Sequence, residues 1–248
     1  MNKIRVSVVS YTNSLPFLHG IKASAKLLEQ IDLSVDVPAE CARKVIHDEA
    51  DLGIIPVAAL SKIPNHHIVT DYCIGSDGPV DSVFVFSSKP IAEIESLRLD
   101  HQSRTSNGLA RILLKHYWKK DVKVVMEGDA DAWVLIGDRT FAQKDKVPYV
   151  YDLGEVWKEF TGLPFAFAVW VANKKLPENF INDFNEALKI GVSNPTVIIP
   201  ELPENPDFNY EKYLTNYLDY PLDIKKREAI QRYLQYYREL EEIDFKGV

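Results

Sequence analysis

The sequence is short of the features that mark several common functions. Only two of its 248 residues are cysteine, Cys41 and Cys73, and neither sits in a C-x-x-C or other metal spacing. A disulfide framework and a cysteine-held metal are therefore not expected, and both thiols should be reduced and buried. The histidines offer no better set. His66 and His67 are neighbours in a strand pattern and point to opposite faces, while His19 and His47 lie on helical patterns without a second ligand at useful spacing. No run approaches the ~18 apolar residues of a membrane span, so no membrane partner is expected. The glycines form no G-x-G-x-x-G and no P-loop, and no G-x-S-x-G elbow is present. Positive charge is the scarcer sign: 29 Lys and Arg stand against 36 Asp and Glu, a net charge of −7. That argues against a nucleic-acid surface, which would want a basic face. It does not exclude a small anion, because local dipoles decide that case.

What remains is an ordinary globular composition, 46% hydrophobic and 26% charged. The length suits one large domain or two small lobes, and burial of roughly 70–75% of the unfolded surface needs no staples. The chain runs directly into a strand pattern without a charged and then apolar leader, so a cytoplasmic protein is expected. The strand Ile4–Val9 is followed by helical spacing from Leu15 to Leu28, a strand Leu33–Val37, a helix opened by Pro38, and a strand 51–56 that ends in Pro56. That βαβαβ order implies a parallel sheet with right-handed crossovers. After more strand at 66–74 and a Gly-Pro loop, a strong strand 80–86 restarts the alternation. The segments 97–99, 122–126, 132–136, 149–151 and 165–173 read as strands, with helices after Ser106 and from Leu153. From Pro177 the chain is helical, broken by prolines at 195–206. It closes on a helix with Ile230, Tyr233, Leu234 and Tyr237 on one stripe.

The polar residues of interest sit where strands end. Ser10-Tyr11-Thr12-Asn13 lies at the carboxyl end of the first strand and the entry to a helix, where open α/β sheets bind ligands. Helix capping would equally account for Ser and Asn there. Ser103-Arg104-Thr105-Ser106 opens a helix. Its hydroxyls, free N–H groups and about half a positive charge would suit a carboxylate. Ser82 follows the Gly-Pro loop. Gly137-Asp138 ends a strand and begins a helical turn. Phe165 and Phe167 share one face of a strand and could form an apolar wall for a flat ring.

The segments SYTNSLPF (10–17), DLGIIPVAAL (51–60), GPVDSVFVFS (78–87), LDHQSRTSNGLARILL (99–114), VLIGD (134–138) and YDLGEVWKEFTGLPFAFAVW (151–170) resemble, in the same order, the chorismate dehydratases of the futalosine route to menaquinone. The C-terminal quarter carries little of the likeness. The resemblance implies an α/β, two-lobed type II periplasmic-binding-protein-like fold with a cleft between lobes. Lobe one would hold residues 1–79 plus 174–248 and lobe two 80–173, joined by two crossing strands. It also implies a carbon–oxygen lyase that converts chorismate to 3-[(1-carboxyvinyl)oxy]benzoate and water with no cofactor, as a monomer or homodimer. Asn13 and Ser82 would be catalytic. Ser10, Tyr11, Pro56, Ser103, Arg104, Thr105, Ser106, Gly137, Asp138, Phe165 and Phe167 would bind substrate. Asp138 or a carboxylate of the substrate itself would be the base. The sibling 1,4-dihydroxy-6-naphthoate synthase and a non-catalytic small-anion binding protein are the alternatives. Thr12, Asp81 and Asn107 depart from the family's usual residues, and Asp81 places a negative charge beside Ser82.

Overall fold

The computed structural model describes residues 3–141 and 143–246. Two five-stranded sheets carry the fold. In the first, β1 (Ile4–Val9) is flanked by β2 (Ile31–Asp36) and β3 (Leu52–Pro56), both parallel to it. The strand β4 (His67–Ser76) forms one edge. The second sheet contains β5 (Val83–Ser87), β6 (Ser96–Arg98), β7 (Lys123–Val125), β8 (Ala132–Ile136) and β9 (Tyr149–Asp152). The last strand, β10 (Phe165–Ala172), returns to the first sheet and lies antiparallel between β3 and β4.

The strand orders are β2-β1-β3-β10-β4 and β7-β6-β8-β5-β9. They are one pattern used twice. Each sheet has its parallel core in the order second, first, third, then the antiparallel strand that arrives from the other half, then a fourth. The sequence shows no such repeat, because the two halves share a topology and not residues. Each crossing strand pairs within one sheet only, and Val83–Ser87 does so within the second. Phe165–Ala172 hydrogen-bonds within the first sheet alone, so it groups with that sheet and not with residues 80–164.

Local chemistry accounts for the element ends. In α1 (Leu15–Ala23) and α2 (Ala25–Gln30) the expected single helix is split at Ser24, whose hydroxyl accepts the Leu27 N–H at 3.3 Å and starts the second piece. Pro38 opens α3 (Pro38–Ile46) at its first turn, where its missing N–H costs nothing. Ser103 caps α4 (Arg104–His116). Asp152 caps α5 (Leu153–Thr161), which ends on Gly162 in the left-handed conformation. The helix α6 (Glu178–Ser193) packs on α1 so closely that a Cβ on Gly191 would lie 1.7 Å from the Pro16 carbonyl oxygen. A short turn, α7 (Tyr210–Lys212), leads into a π-helical turn at Tyr213–Tyr217 and then α8 (Ile224–Lys246).

The core follows both sheets. Val6, Val8, Ile54, Ile55, Val169 and Trp170 are fully or almost fully buried in the first, and Val85, Phe86, Leu97 and Ala132 in the second. The final helix does not simply return to the first half. Its Tyr233 packs on Phe165 and donates to the Thr105 carbonyl at 3.1 Å, so α8 ties β10 to α4. Among the described residues, no helix is long and apolar enough to cross a membrane.

Candidate functional site

The carboxyl ends of the parallel strands in both sheets face a common hollow of about 520 Å³, counted out to its mouth. From the first sheet come Val9, Tyr11 and Asn13 after β1, Pro56 at the end of β3, Ile74 of β4, and Phe167 and Ala168 of β10. From the second half come Val80, Ser82 and Val83 around the crossing, Ser103, Thr105 and Ser106 at the start of α4, and Ile136 and Gly137 at the end of β8. Nine of the residues singled out in the sequence thus meet: Tyr11, Asn13, Pro56, Ser82, Ser103, Thr105, Ser106, Gly137 and Phe167.

Four others do not line it. Ser10 is exposed, and its backbone N–H donates to the Asp36 carbonyl. Arg104 is exposed at the first position of α4, where the helix turns its side chain away from the hydroxyl face. Phe165 shares its face with Phe167, as alternation requires, but lies deeper, its ring 5.1 Å from Trp157 and 4.7 Å from Phe167. It is core and not wall. Asp138 points across to the other half, where its carboxylate accepts the Thr12 N–H at 3.2 Å and the Thr12 hydroxyl at 3.0 Å. Desolvation raises its pKa against the pull of those hydrogen bonds.

Capping does not explain the residues after β1. Neither Tyr11 nor Ser14, the capping residues of the two turns there, makes a side-chain cap. Ser14 instead donates to Asn13 Oδ1 at 3.1 Å, which fixes which end of the amide faces onward. At α4 capping and site coexist. Ser103 Oγ accepts the Ser106 N–H at 3.1 Å and bonds the Ser106 hydroxyl at 2.8 Å. The N–H groups of Arg104 and Thr105 come before the first intrahelical bond and have no acceptor within the helix. Thr105 Oγ1 accepts the Ala58 N–H at 3.1 Å, so its own proton remains for a ligand.

Ser82 is not on a strand. The crossing strand begins at Val83, and Asp81 adopts φ +58°, so strand alternation does not separate the two side chains. Asp81 turns instead to Lys144, which neutralises it. Asp152 sets this bend: its buried carboxylate accepts the N–H groups of Val80 and Asp81 as well as those of Gly154 and Glu155. Burial pushes its pKa up to about 6, against those four donors.

The two halves touch at the rim. Gly137 has φ +65°, and a Cβ there would lie 2.6 Å from the Tyr11 ring, so a residue without a side chain lets the ring cover it. The Tyr11 hydroxyl bonds Gln102. Arg139 is engaged by the buried Asp100 at 2.6 Å and also reaches the Tyr11 hydroxyl. None of the lining residues is Lys, Arg, His, Asp or Glu. Anion binding there falls to neutral hydroxyl, amide and backbone groups.

Sequence reasoning missed the C-terminal contribution. The tyrosines of 210–220 read as packing residues, yet Tyr213 is fully buried and its hydroxyl donates to Ser82 Oγ at 2.9 Å. Tyr220 donates to the Asn13 carbonyl at 3.2 Å. Nothing in a local window signals this, because 131 and 207 residues separate these pairs.

Two sheets of this order facing one cleft define the periplasmic-binding-protein-like class. A Candida albicans protein described as having the generic periplasmic binding protein fold superposes with a TM-score of 0.62, covering 94% of this chain and 90% of its own at 13% identity. Within that class the chain is more specific. Residues 4–239 match the family described as menaquinone biosynthesis, and the chain belongs to that family. Two relatives are similar in sequence, both named chorismate dehydratase. One, from Campylobacter jejuni, is 26% identical over 91% of this chain and 89% of its own. The other, from Thermus thermophilus, is 27% identical over 67% and 69%.

Proposed function

We propose that this protein is a chorismate dehydratase, a hydro-lyase that forms 3-[(1-carboxyvinyl)oxy]benzoate and water in menaquinone biosynthesis. The observation that carries the reading is the hollow itself. In a chain of this family, Asn13 and Ser82 from opposite halves meet the hydroxyl-lined start of α4 in a cavity walled by Phe167, Val9 and Ile136. The flat ring would lie against the apolar wall. One carboxylate would take the Thr105 N–H and the hydroxyls of Thr105 and Ser106. Asn13 and Ser82 would hold the departing hydroxyl and the enolpyruvyl group.

The reaction removes the proton from the ring carbon that bears the enolpyruvyl ether. It expels hydroxide from the neighbouring carbon, and the ring becomes aromatic. Hydrogen-bond donors fixed at the departing oxygen stabilise the charge that develops there, typically by a factor of 10²–10³. Asp138 turns to Thr12, and among the lining residues only Tyr11 titrates as an acid or base. A carboxylate of the substrate is therefore the better candidate to take the ring proton, and it would pass that proton on to complete the water. The protein's task is then orientation and charge stabilisation, for which no cofactor is needed. The two lobes would close on substrate about the crossings near residues 77–82 and 162–164. A reducing, cytoplasmic location fits two buried free thiols.

Incubation with chorismate, followed by ultraviolet absorbance and product mass, tests the reading. Loss of one water with a new aromatic absorbance supports it, and binding without turnover would leave a binding protein. Ser82→Ala and Asn13→Ala should each lower kcat by about 10²-fold or more, with little change in thermal midpoint. Near-normal turnover in both variants refutes the site.

A further inference from the structure

Behind Asn13 and Ser82 lies a group that does not reach the hollow. Tyr213 is fully buried, in the π-helical turn closed by the Leu218 N–H on the Tyr213 carbonyl at 3.2 Å. Its ring is boxed by Phe141 and Phe208, with centroids 5.5 and 5.3 Å away. Only its hydroxyl meets polar neighbours. It donates to Ser82 Oγ at 2.9 Å, and the Asn13 side chain lies beside it.

Ser14 donates to Asn13 Oδ1 and so holds the amide in place beside this hydroxyl. The Tyr213 hydroxyl sends its proton to Ser82 Oγ. Ser82 then accepts from behind. Its own proton has one weak protein alternative, the Val80 carbonyl at 3.5 Å, and otherwise points into the hollow. Two donors thus run head to tail, Tyr213 to Ser82 and Ser82 onward. Each bond polarises the next in a buried chain.

On the dehydratase reading above, we propose that Tyr213 is a positioning residue for the dehydration: it orients Ser82 as a donor toward the hydroxyl that departs and strengthens that donor. Ser82 keeps its proton throughout. The departing hydroxide becomes water with the proton that left the ring carbon, so no proton is drawn from the relay and none is left over. The role falls to the C-terminal segment, the part of the chain with least likeness to the family's motifs. It acts through Ser82 and touches no substrate itself.

The test is a double-mutant cycle on purified protein with chorismate as substrate. Tyr213→Phe removes one oxygen and keeps the ring in its box. It should lower kcat by about 10- to 100-fold, the weight of one buried hydrogen bond to a developing charge, while KM changes by less than about threefold. In a Ser82→Ala background the same change should alter kcat by less than about twofold, because Tyr213 acts through Ser82. A merely structural role would lower activity by the same factor in both backgrounds, and that result overturns the proposal. So does wild-type kcat in Tyr213→Phe. Should Tyr213→Phe not fold, a fluorinated tyrosine at 213, a more acidic donor of nearly the same shape, gives the second readout. It should keep or raise kcat, and a loss of tenfold in well-folded protein overturns the relay. Failure of the site reading looks different: Ser82→Ala and Asn13→Ala would then turn over normally whatever happens at Tyr213.

Discussion

Gly137→Ala separates backbone strain from closure of the two halves. Gly137 sits at φ +65°, and the added methyl would lie 2.6 Å from Cδ2 and Cε2 of Tyr11. Two costs follow from one atom. The left-handed backbone costs about 1–2 kcal/mol for any residue with a Cβ, whether or not the halves are together. The contact with the ring arises only when Tyr11, carried by the first sheet, covers Gly137, carried by the second. Relieving an overpacked contact of that kind costs about 1–3 kcal/mol. The first cost should appear as a fall of about 2–8 °C in thermal midpoint, using about 2–4 °C per kcal/mol for a chain of this size. The second should appear in turnover, as a fall of about 5- to 150-fold in kcat/KM with chorismate. The control is Tyr11→Ala. In that background Gly137→Ala should still lower the midpoint but should cost little further activity. Equal activity losses with and without the Tyr11 ring would refute the closure argument, and an unchanged midpoint would refute the strain argument.

Other changes should separate the remaining roles. Asp152 holds the bend at 80–82 through the Val80 and Asp81 N–H groups. With its pKa pushed to about 6 by burial, kcat should fall as pH drops through about 6 and the carboxylate loses acceptor capacity; a profile flat from about pH 5 to 8 would contradict this. Arg104→Ala should leave kcat/KM within about twofold, since that side chain is exposed and outside the hollow, and a tenfold loss measured with chorismate would restore it to the site. At the far end of the first sheet, burial alone would raise the Asp51 pKa, but Arg5 and Lys174 hold it down at about 2. Its folded pKa lies below the unfolded value of about 3.9. The pair's stabilisation is therefore complete above about pH 4 and lost as pH falls through about 2. Asp51→Asn should cost about 1–2 kcal/mol at pH 7 by urea unfolding, discounted because the two cations are 40% and 51% exposed, and little near pH 2.

Much of this was legible in one dimension because its causes are local. Alternating apolar residues mark Ile4–Val9, an unbroken apolar run marks the strand 132–136, Pro38 marks a helix start, and Ser103 marks the cap of α4. Chain order also determined that Asn13, Pro56, Ser103 and Gly137 lie at the carboxyl ends of strands or the starts of helices, which in a parallel sheet share one side. The tertiary structure alone decided which of those neighbours face the hollow. Arg104 and Thr105 are adjacent in sequence, yet one is exposed and the other buried against Ala58, because a helix turns about 100° per residue. It alone carried Phe165 into the core, turned Asp138 toward Thr12, and placed Ser82 on a bend held by Asp152, since each rests on a partner some seventy or more residues away or in another layer. Tyr213 depends on it most of all. A tyrosine on a helical stripe carries the same periodic signal whether its hydroxyl meets water or Ser82, and only the return of the C-terminal segment behind the crossing settles which.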